Sequence, residues 1–335
     1  MEIERILVSV GPGETRIVAL SQGQLVGLTF ERNGQRDMVG DILVGRVEAV
    51  QKNLQAAFVD IGAEASGFLG LADARPYTAK PKDTIEDYVL EGDLILVQVT
   101  RNPEENKGAK LTLKPILTSR NLVFIPDKPG VSVSRRITDS VERDRLVNTL
   151  ASQNITSGGF IFRTAAESSG SEILRTEAER LKAAWFKIQS DFKTARSSKV
   201  LMREIPPAQR ILRDSNVSNL NAVLTDDVDT YDQLKAYTKA EMSNISSLVH
   251  LHQRKGSLFH SEGIEEMIEA TLEPLVTLPN GGNIKITETD ALVAVDVNTG
   301  SVKVSGRDQM IKSVNCEAAE VLAKHMVLRN LSGLI

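Results

Sequence analysis

The chain has 335 residues, of which 41% are hydrophobic and 25% are charged, and its formal net charge is −4. This composition predicts two or three folded domains and argues against wholesale disorder and against a simple basic chain that coats nucleic acid. The single cysteine excludes an internal disulfide framework, and no apolar run is long enough for a membrane helix. We therefore predict a cytoplasmic protein with no membrane partner.

The first 118 residues are rich in short, strand-like runs. Apolar segments at 3–10, 15–20 and 25–30 are separated by Gly-Pro-Gly and Gln-Gly, which predicts a three-stranded meander. Five further runs with glycine-marked bends follow between residues 39 and 118, interrupted by one polar, proline-containing excursion at 77–87. This pattern is typical of a small OB-type barrel.

The rest of the chain alternates between short strands and amphipathic helices. A strand is predicted at 219–224, and a hairpin at 278–300 has a second strand that ends in Asp-Val-Asn-Thr-Gly. The chain closes in an apolar run behind Ser-Gly, which predicts the first residues of a new strand and suggests a truncated or degenerate protein. Apolar stripes at helical spacing predict helices at 141–151, 168–193, from 207 onward, 229–242, 261–272 and 305–330.

The second strand of the hairpin carries one acid, Asp296. Alternate residues of a strand share a face, so Asp296 and Asn298 lie together, opposite the face of Val293, Val295 and Val297. An acid and an amide at the end of a strand can hold a divalent ion with its waters, and Mg²⁺ favours one or two carboxylates. The same residues are also typical of a turn, which leaves a structural role open.

Aromatic residues make up only 4% of the chain, yet Phe58 and Phe68 both fall on the middle strands of the predicted barrel. In OB folds, aromatic side chains on this face stack nucleic-acid bases. Lys107, Lys110 and Lys114 lie on the following segment, where they can contact a phosphate backbone. The alternative interpretation is that the rings pack in the core and that the lysines are solvated surface.

A third candidate site combines Arg135-Arg136 with Arg163-Thr164. A guanidinium fork together with a hydroxyl group and nearby backbone N–H groups suits a terminal phosphate. Structural salt bridges are the alternative role for these arginines.

Several segments combine into a more specific pattern than any single motif. In chain order they are MEIERILVSVGPGETRIVAL, GRVEAVQKNLQAAFVDIGAEASGFL, NKGAKLTL, SVSRRI, GGFIFRTAA, LFHSEGIEEMIEATLEPLVTLPNGGNIKITETDALVAVDVNTG and NCEAAEVLAKHMVLRNLSGLI. This series closely resembles the N-terminal catalytic half of the ribonuclease E/G family, over essentially the whole chain.

The resemblance implies an α+β multidomain fold. A split RNase H-like domain would be interrupted by an S1-type OB-fold β-barrel and a 5′-sensor region, and a partial DNase I-like catalytic subdomain would follow. Members of the family cleave single-stranded, AU-rich RNA with Mg²⁺ and prefer a 5′ monophosphate, which implies a role in RNA processing or decay. In chain order, the implied boundaries are 1–35 (RNase H-like), 36–118 (S1-type OB), 119–214 (5′ sensor), 215–270 (RNase H-like) and 271–335 (DNase I-like).

Functional residues are carried over by motif. The resemblance implies that Asp296 binds the metal and that Asn298 is its catalytic neighbour. Metal-assisted hydrolysis of the phosphodiester would follow, with Mg²⁺ activating a water. The barrel residues expected to contact RNA are Phe58, Phe68, Lys107 and, from its charge and position, Lys110. The residues expected to bind the 5′ phosphate are Val123, Arg135, Arg163 and Thr164.

The sequence departs from the family pattern at several points. The second metal aspartate would lie a few residues past the final Gly-Leu-Ile, and the Cys-Pro-x-Cys zinc link between subunits does not occur within the 335 residues. Ser119 stands where the family often has a sensor glycine, and its side chain restricts the backbone. The alternatives to an endoribonuclease are therefore a catalytically impaired RNA-binding protein and a structural partner protein. An oligomer is possible, but nothing in the sequence supports one.

Overall fold

The computed structural model describes residues 2–32, 34, 36–77, 83–103, 107–151, 158–253, 256–300 and 307–335. Part of the predicted excursion at 77–87 and the start of the helix predicted from residue 305 lie outside the described residues. The fold is a mixed α+β arrangement, as predicted. The chain forms two compact units, Met1–Arg36 with Pro207–Ile335 and Asp37–Pro206. The finer division into five domains stays a prediction.

The secondary structure is assigned over the described residues only, and among them no helix is both long and apolar enough to cross a membrane. The strands are β1 (Arg5–Val10), β2 (Glu14–Ser21), β3 (Gln24–Arg32), β4 (Ile42–Gln51), β5 (Ala56–Asp60), β6 (Gly67–Gly70), β7 (Leu94–Arg101), β8 (Lys110–Thr112), β9 (Leu117–Thr118), β10 (Leu122–Ile125), β11 (Gly130–Val133), β12 (Gly159–Phe162), β13 (Lys199–Met202), β14 (Ala222–Thr225), β15 (Val249–Leu251), β16 (Leu275–Thr277), β17 (Asn283–Glu288) and β18 (Val293–Asn298). The α-helices are α1 (Leu71–Ala74), α2 (Ser140–Ala151), α3 (Ser171–Thr194), α4 (Pro207–Asp214), α5 (Val228–Glu241), α6 (Leu258–Ser261), α7 (Ile264–Leu272) and α8 (Arg307–Leu328).

The unit Asp37–Pro206 contains a closed, OB-like barrel. Its strands run in the order β4–β5–β6–β8–β7, and β7 pairs again with β4 to close the ring. A Cβ on Gly67 of β6 would lie 2.5 Å from Leu111 of β8, so glycine is needed where these strands meet. The barrel predicted from the glycine-marked runs is confirmed. Its interior is filled by small and branched side chains, among them Leu43, Val47, Ala57, Val59, Leu69, Val97 and Leu111.

The same unit contains a four-stranded sheet in the order β11–β12–β10–β9. Phe124 of β10 and Phe160 of β12 pack with their ring centroids 5.0 Å apart. Leu146 of α2 and Leu174 of α3 are buried in the same apolar cluster, so these two helices cover one face of the sheet. Val123 lies between two buried residues of β10, so its side chain is on the opposite, more exposed face of the sheet.

The unit Met1–Arg36 with Pro207–Ile335 is built on a five-stranded sheet in the order β15–β14–β1–β2–β3. The predicted meander of β1, β2 and β3 is antiparallel, whereas β14 joins β1 in parallel. Ile6 and Val8 of β1 pack with Leu212 of α4 and Leu234 of α5, while Leu7 packs with Phe259 of α6. Because alternate residues bury opposite faces, both faces of this sheet are covered.

A three-stranded antiparallel sheet, β16–β17–β18, completes this unit. The hairpin of β17 and β18 was predicted from the sequence and is confirmed. Ile284, Ile286 and Val293 of the hairpin are buried with Val314 and Ala318 of α8. The helix therefore covers one face of the hairpin and leaves the alternate residues of β18 on the other face.

The C-terminal part differs from the predictions in two places. The helix predicted at 261–272 is confirmed as α7, but it begins at Ile264, because Gly263 has a left-handed φ of +68° that separates α7 from α6. The residues after α8 form no strand. The Leu334 carbonyl accepts a hydrogen bond from the Val293 N–H at 2.9 Å, but one such bond does not make a strand ladder.

Candidate nucleic-acid interface and metal centre

The outer wall of the barrel carries the predicted aromatic pair. Phe58 of β5 is the cross-strand neighbour of Phe68 of β6, and the ring centroids lie 6.0 Å apart at an interplanar angle of 74°. Both side chains are half-buried, whereas their chain neighbours Ala57, Val59 and Leu69 fill the barrel interior. Because successive residues of a strand point to opposite faces, the two rings lie outside the barrel core. Both rings are therefore partly open to solvent.

The predicted lysines differ in their surroundings. Lys110 lies opposite Phe68 where β8 meets β6, and its Nζ is 2.9 Å from Asp73 Oδ2. Lys107 is exposed. Lys110 is thus beside the aromatic pair but already has Asp73 as an anionic partner. Because this ion pair is partly exposed, it contributes little to the stability of the fold.

The predicted 5′-phosphate residues lie on or directly after three neighbouring strands of the four-stranded sheet. Val123 is on β10, Arg163 and Thr164 follow β12, and Arg135 follows β11. Arg135 and Thr164 are exposed, and the Thr164 hydroxyl lies 3.4 Å from the hydroxyl of Ser134. The fold therefore brings together residues that are about 40 positions apart in the sequence.

Ser119 contributes to this sheet through its backbone and its side chain. Its carbonyl oxygen accepts a hydrogen bond from Arg163 Nη1 at 2.8 Å, and its hydroxyl donates to the Leu122 carbonyl at 3.0 Å. Ser119 is buried, and it is not one of the described non-glycine residues that have a positive φ. The backbone at position 119 therefore does not require glycine, and Ser119 orients the Arg163 side chain.

A carboxylate that the sequence did not single out holds the segment after Thr164. Glu142 of α2 accepts hydrogen bonds from Arg145 Nε and Nη2, both at 2.7 Å, and from the Ser168 N–H at 2.9 Å. The guanidinium of Arg145 and the Ser168 N–H lower the pKa of Glu142 to about 2. Ser168 has a left-handed φ of +61°. The spacing of Glu142 and Arg145 signals an ion pair, but the contact with Ser168 depends on the tertiary fold.

Asp296 and Asn298 lie on the exposed face of β18, away from the cluster that buries Val293. Asn298 Nδ2 donates a hydrogen bond to Asp296 Oδ2 at 3.0 Å. Across the hairpin, Asp296 is opposite Lys285. Within the described ranges, no group of three or more His, Cys, Asp or Glu side chains is placed to hold a metal ion. The structure therefore presents one carboxylate and one amide together at the surface.

The turn before β17 supports the end of β18. Glu317 Oε1 of α8 accepts a hydrogen bond from the Asn280 N–H at 3.1 Å, while its Oε2 is buried without a hydrogen-bond partner among the described residues. A Cβ on Gly282 would lie 2.8 Å from the Asn298 carbonyl oxygen, and a Cβ on Gly300 would lie 2.4 Å from the turn backbone. Glu317 thus anchors a turn that packs directly against the backbone of Asn298. No pattern in the sequence predicts this contact.

The residue pattern that spans the four-stranded sheet, the hairpin and α8 matches a known family. Residues 116–335 fit the family model described as Ribonuclease E/G family. This chain belongs to the ribonuclease E/G family. The matched range includes Asp296, Asn298 and all four predicted sensor residues.

Curated members of the family are similar to nearly the whole chain. Ribonuclease G of Escherichia coli (strain K12) is 36% identical over 340 residues, which cover 98% of this chain and 70% of that protein. Ribonuclease G of Haemophilus influenzae is 36% identical over 346 residues, with 100% and 70% covered. Ribonuclease E of Haemophilus influenzae is 32% identical over 343 residues, with 99% and 37% covered. The family resemblance read from the motifs is therefore confirmed, and it includes the barrel.

Proposed function

We propose that this protein is an endoribonuclease that cleaves single-stranded RNA with Mg²⁺, in RNA processing or decay. Its similarity to proteins named Ribonuclease G and Ribonuclease E supports this class of reaction. The observation that carries the proposal is the contact between Asp296 and Asn298, because it presents a carboxylate and an amide together on an exposed strand. A cytoplasmic location fits the single cysteine and stays a prediction.

The two side chains offer part of a ligand set that suits Mg²⁺. The hydrogen bond to Asp296 uses Asn298 Nδ2, so the amide oxygen and the carboxylate oxygens retain lone pairs for a cation. Mg²⁺ prefers oxygen ligands and keeps several of its waters, so one carboxylate and one amide fit part of its shell. When bound, the ion would lower the pKa of a bound water and offset negative charge on the scissile phosphate. Asp296 would hold the ion, and Asn298 would orient the Asp296 carboxylate.

The barrel provides the RNA-binding surface in this proposal. Bases stack on Phe58 and Phe68, whose rings lie outside the barrel core, and such stacking contributes about 1–3 kcal/mol per base. Lys107 contacts the phosphate backbone. For Lys110, an RNA phosphate competes with Asp73, so its contribution to affinity is smaller.

The four-stranded sheet would bind the 5′ end of the RNA. Arg163, oriented by Ser119, and the exposed Arg135 supply guanidinium groups for a terminal phosphate. The hydroxyl of Thr164 and the side chain of Val123 complete the proposed sensor.

In the other unit, we propose that the five-stranded sheet is the RNase H-like part and that β16, β17, β18 and α8 belong to the DNase I-like subdomain.

A second candidate is an RNA-binding protein of the same family with impaired catalysis. It is favoured by one observation, the lack of any described cluster of three or more potential metal-binding side chains. A single carboxylate binds Mg²⁺ weakly, because this ion gives up its waters reluctantly. In that case the chain would bind RNA but turn over no substrate.

One experiment separates the two candidates. A labelled single-stranded RNA with a 5′ monophosphate is incubated with Mg²⁺ and the 335-residue chain, its Asp296→Ala variant, or the control variant Asp290→Ala, which removes another exposed acid of the hairpin. We expect Asp296→Ala to lower the cleavage rate by about 100-fold or more, and Asp290→Ala to leave it unchanged. If the parent chain cleaves no faster than Asp296→Ala but still binds RNA, the second candidate is correct.

A further inference from the structure

Tyr77, outside the proposed sites, is approached by two ammonium groups. Lys114 Nζ lies 5.5 Å and Lys128 Nζ lies 5.7 Å from the centroid of the Tyr77 ring. Both distances fall within the roughly 6 Å of a cation–π contact. The tyrosine itself is 49% exposed. An aromatic surface with two positive charges is thus open to solvent.

These two charges are not neutralised in the way that the charge of Lys110 is. Lys110 has a carboxylate partner in Asp73, whereas Lys114 Nζ donates a hydrogen bond to an uncharged group, the Ala72 carbonyl, at 2.7 Å. Over the part of the chain that the structure describes, neither Lys114 nor Lys128 has a carboxylate within ion-pair distance. Two like charges that converge on one ring repel each other, and an anion between them would relieve that repulsion.

The backbone holds both lysines in place. A Cβ on Gly159 would lie 2.3 Å from the Lys128 carbonyl oxygen, so β12 packs directly against the turn that carries Lys128. The hydrogen bond of Lys114 to Ala72 links its ammonium group to α1. The fold therefore brings both lysines to the Tyr77 ring, while their flexible side chains can still turn toward a ligand.

The cluster also joins two elements of the same unit, the barrel and the four-stranded sheet. Lys114 follows β8, the strand on which Lys110 meets Phe68, and Lys128 is in the turn between β10 and β11 of the four-stranded sheet. Tyr77 therefore contacts one lysine beside the barrel and one lysine of the sheet, which makes it a stacking surface for RNA that extends from the barrel toward the sheet.

We propose that Tyr77, Lys114 and Lys128 form an additional subsite for single-stranded RNA. A base stacks on the Tyr77 ring, and the two flexible lysine side chains turn to the phosphates on either side of that base. This inference rests on the proposed RNA-binding function of the barrel. It assigns the continuation of the RNA path beyond Phe58 and Phe68.

The test measures binding of a 3′-labelled oligoadenylate by fluorescence anisotropy. The oligoadenylate carries a 5′ hydroxyl, so that the sensor has no phosphate to bind, and EDTA prevents cleavage. We expect Tyr77→Ala to weaken binding by about 5-fold to 100-fold and Tyr77→Phe, which keeps the ring, to change it by less than about twofold. Lys114→Gln and Lys128→Gln should each reduce the slope of log Kd against log salt by about 0.7. The control is Lys187→Gln, an exposed lysine of α3, which should leave Kd unchanged.

Phe58→Ala serves as the reference for the proposed function. If Phe58→Ala weakens binding but Tyr77→Ala does not, the Tyr77 subsite is wrong and the RNA-binding barrel stands. If neither variant weakens binding, both proposals fail. A loss in Tyr77→Phe equal to that in Tyr77→Ala would also overturn the subsite, because stacking does not need the hydroxyl. Circular dichroism spectra that match the parent chain establish that each variant is folded.

Discussion

Asn298 Nδ2 donates a hydrogen bond to Asp296 Oδ2 at 3.0 Å on the exposed face of one strand. The contact fixes the orientation of the carboxylate before a cation binds. It also means that removing the amide affects the acid beside it. A partner that orients a metal-binding side chain typically changes metal affinity by about 10-fold to 100-fold when it is lost.

The first prediction concerns this pair. Asn298→Ala should raise the Mg²⁺ concentration for half-maximal RNA cleavage by about 10-fold or more, because Asp296 loses its orienting partner and the site loses an amide oxygen. The melting temperature should hardly change, because Asn298 is exposed. Thr287→Ala, at another exposed position of the hairpin, is the control. An unchanged Mg²⁺ requirement in Asn298→Ala would remove this residue from the proposed site.

The second prediction tests the aromatic pair on the barrel. Phe68→Ala should weaken binding of single-stranded RNA by about 5-fold or more, since one stacking surface is lost. Leu69→Ala, at the next residue but inside the barrel, should instead lower stability by about 2–5 kcal/mol. Anisotropy titrations and urea denaturation separate the two effects. If Phe68→Ala lost stability but retained RNA affinity, the ring would have a packing role.

The third prediction is a dependence of stability on pH. The pKa of Glu142 is about 2 in the folded chain and about 4.5 in its ordinary state, so the folded protein favours the charged carboxylate. The stabilisation is complete above about pH 4.5 and is lost as the pH falls toward 2. Glu142→Gln should therefore lose stability at pH 7 and show a smaller further loss between pH 5 and 3 than the parent chain. Denaturant unfolding at several pH values measures this, with the exposed Glu172→Gln as the control.

The fourth prediction concerns close packing in the four-stranded sheet. Gly159→Ala should destabilise the fold by about 1–3 kcal/mol, because the added Cβ would lie 2.3 Å from the Lys128 carbonyl oxygen and 2.4 Å from that of Gly130. Gly13→Ala is the control, since a Cβ there meets nothing within 4 Å. Urea denaturation of both variants provides the comparison. Equal stability of the two would mean that the turn can move away from β12 at little cost.

The fifth prediction concerns the turn beneath Asn298. Glu317→Ala removes the acceptor of the Asn280 N–H and should destabilise the fold by about 1 kcal/mol, whereas Glu317→Gln keeps an acceptor oxygen and should be closer to the parent chain. Thermal unfolding measures the difference. If Glu317→Gln were as unstable as Glu317→Ala, the charge of Glu317 would matter more than its hydrogen bond to the turn.

Local patterns in the sequence were sufficient to predict some elements. The hairpin of β17 and β18 has clear alternation around a turn, and the barrel strands are separated by glycines. In contrast, β11 and β13 are strands of four residues whose pairing partners are distant in the sequence. Gly263 lies inside an apolar helical pattern, so its left-handed conformation was not visible from periodicity.

The contacts in the candidate sites also fall into two groups, those that local spacing predicts and those that only the tertiary fold creates. Asp296 and Asn298 are two residues apart on one strand, so their proximity follows from the strand period. Arg163 with Ser119, Glu142 with Ser168 and Glu317 with Asn280 are joined only by the tertiary fold. No spacing rule predicts such contacts.

The parallel pairing of β1 with β14 has a consequence during protein synthesis. The N-terminal meander leaves the ribosome with one edge of β1 unpaired, and its partner Ala222–Thr225 is translated only after the whole of Asp37–Pro206. The unit Asp37–Pro206 can therefore complete its own barrel while this edge of β1 is still unpaired. A nascent chain arrested before residue 222 should therefore protect the barrel from protease before it protects β1.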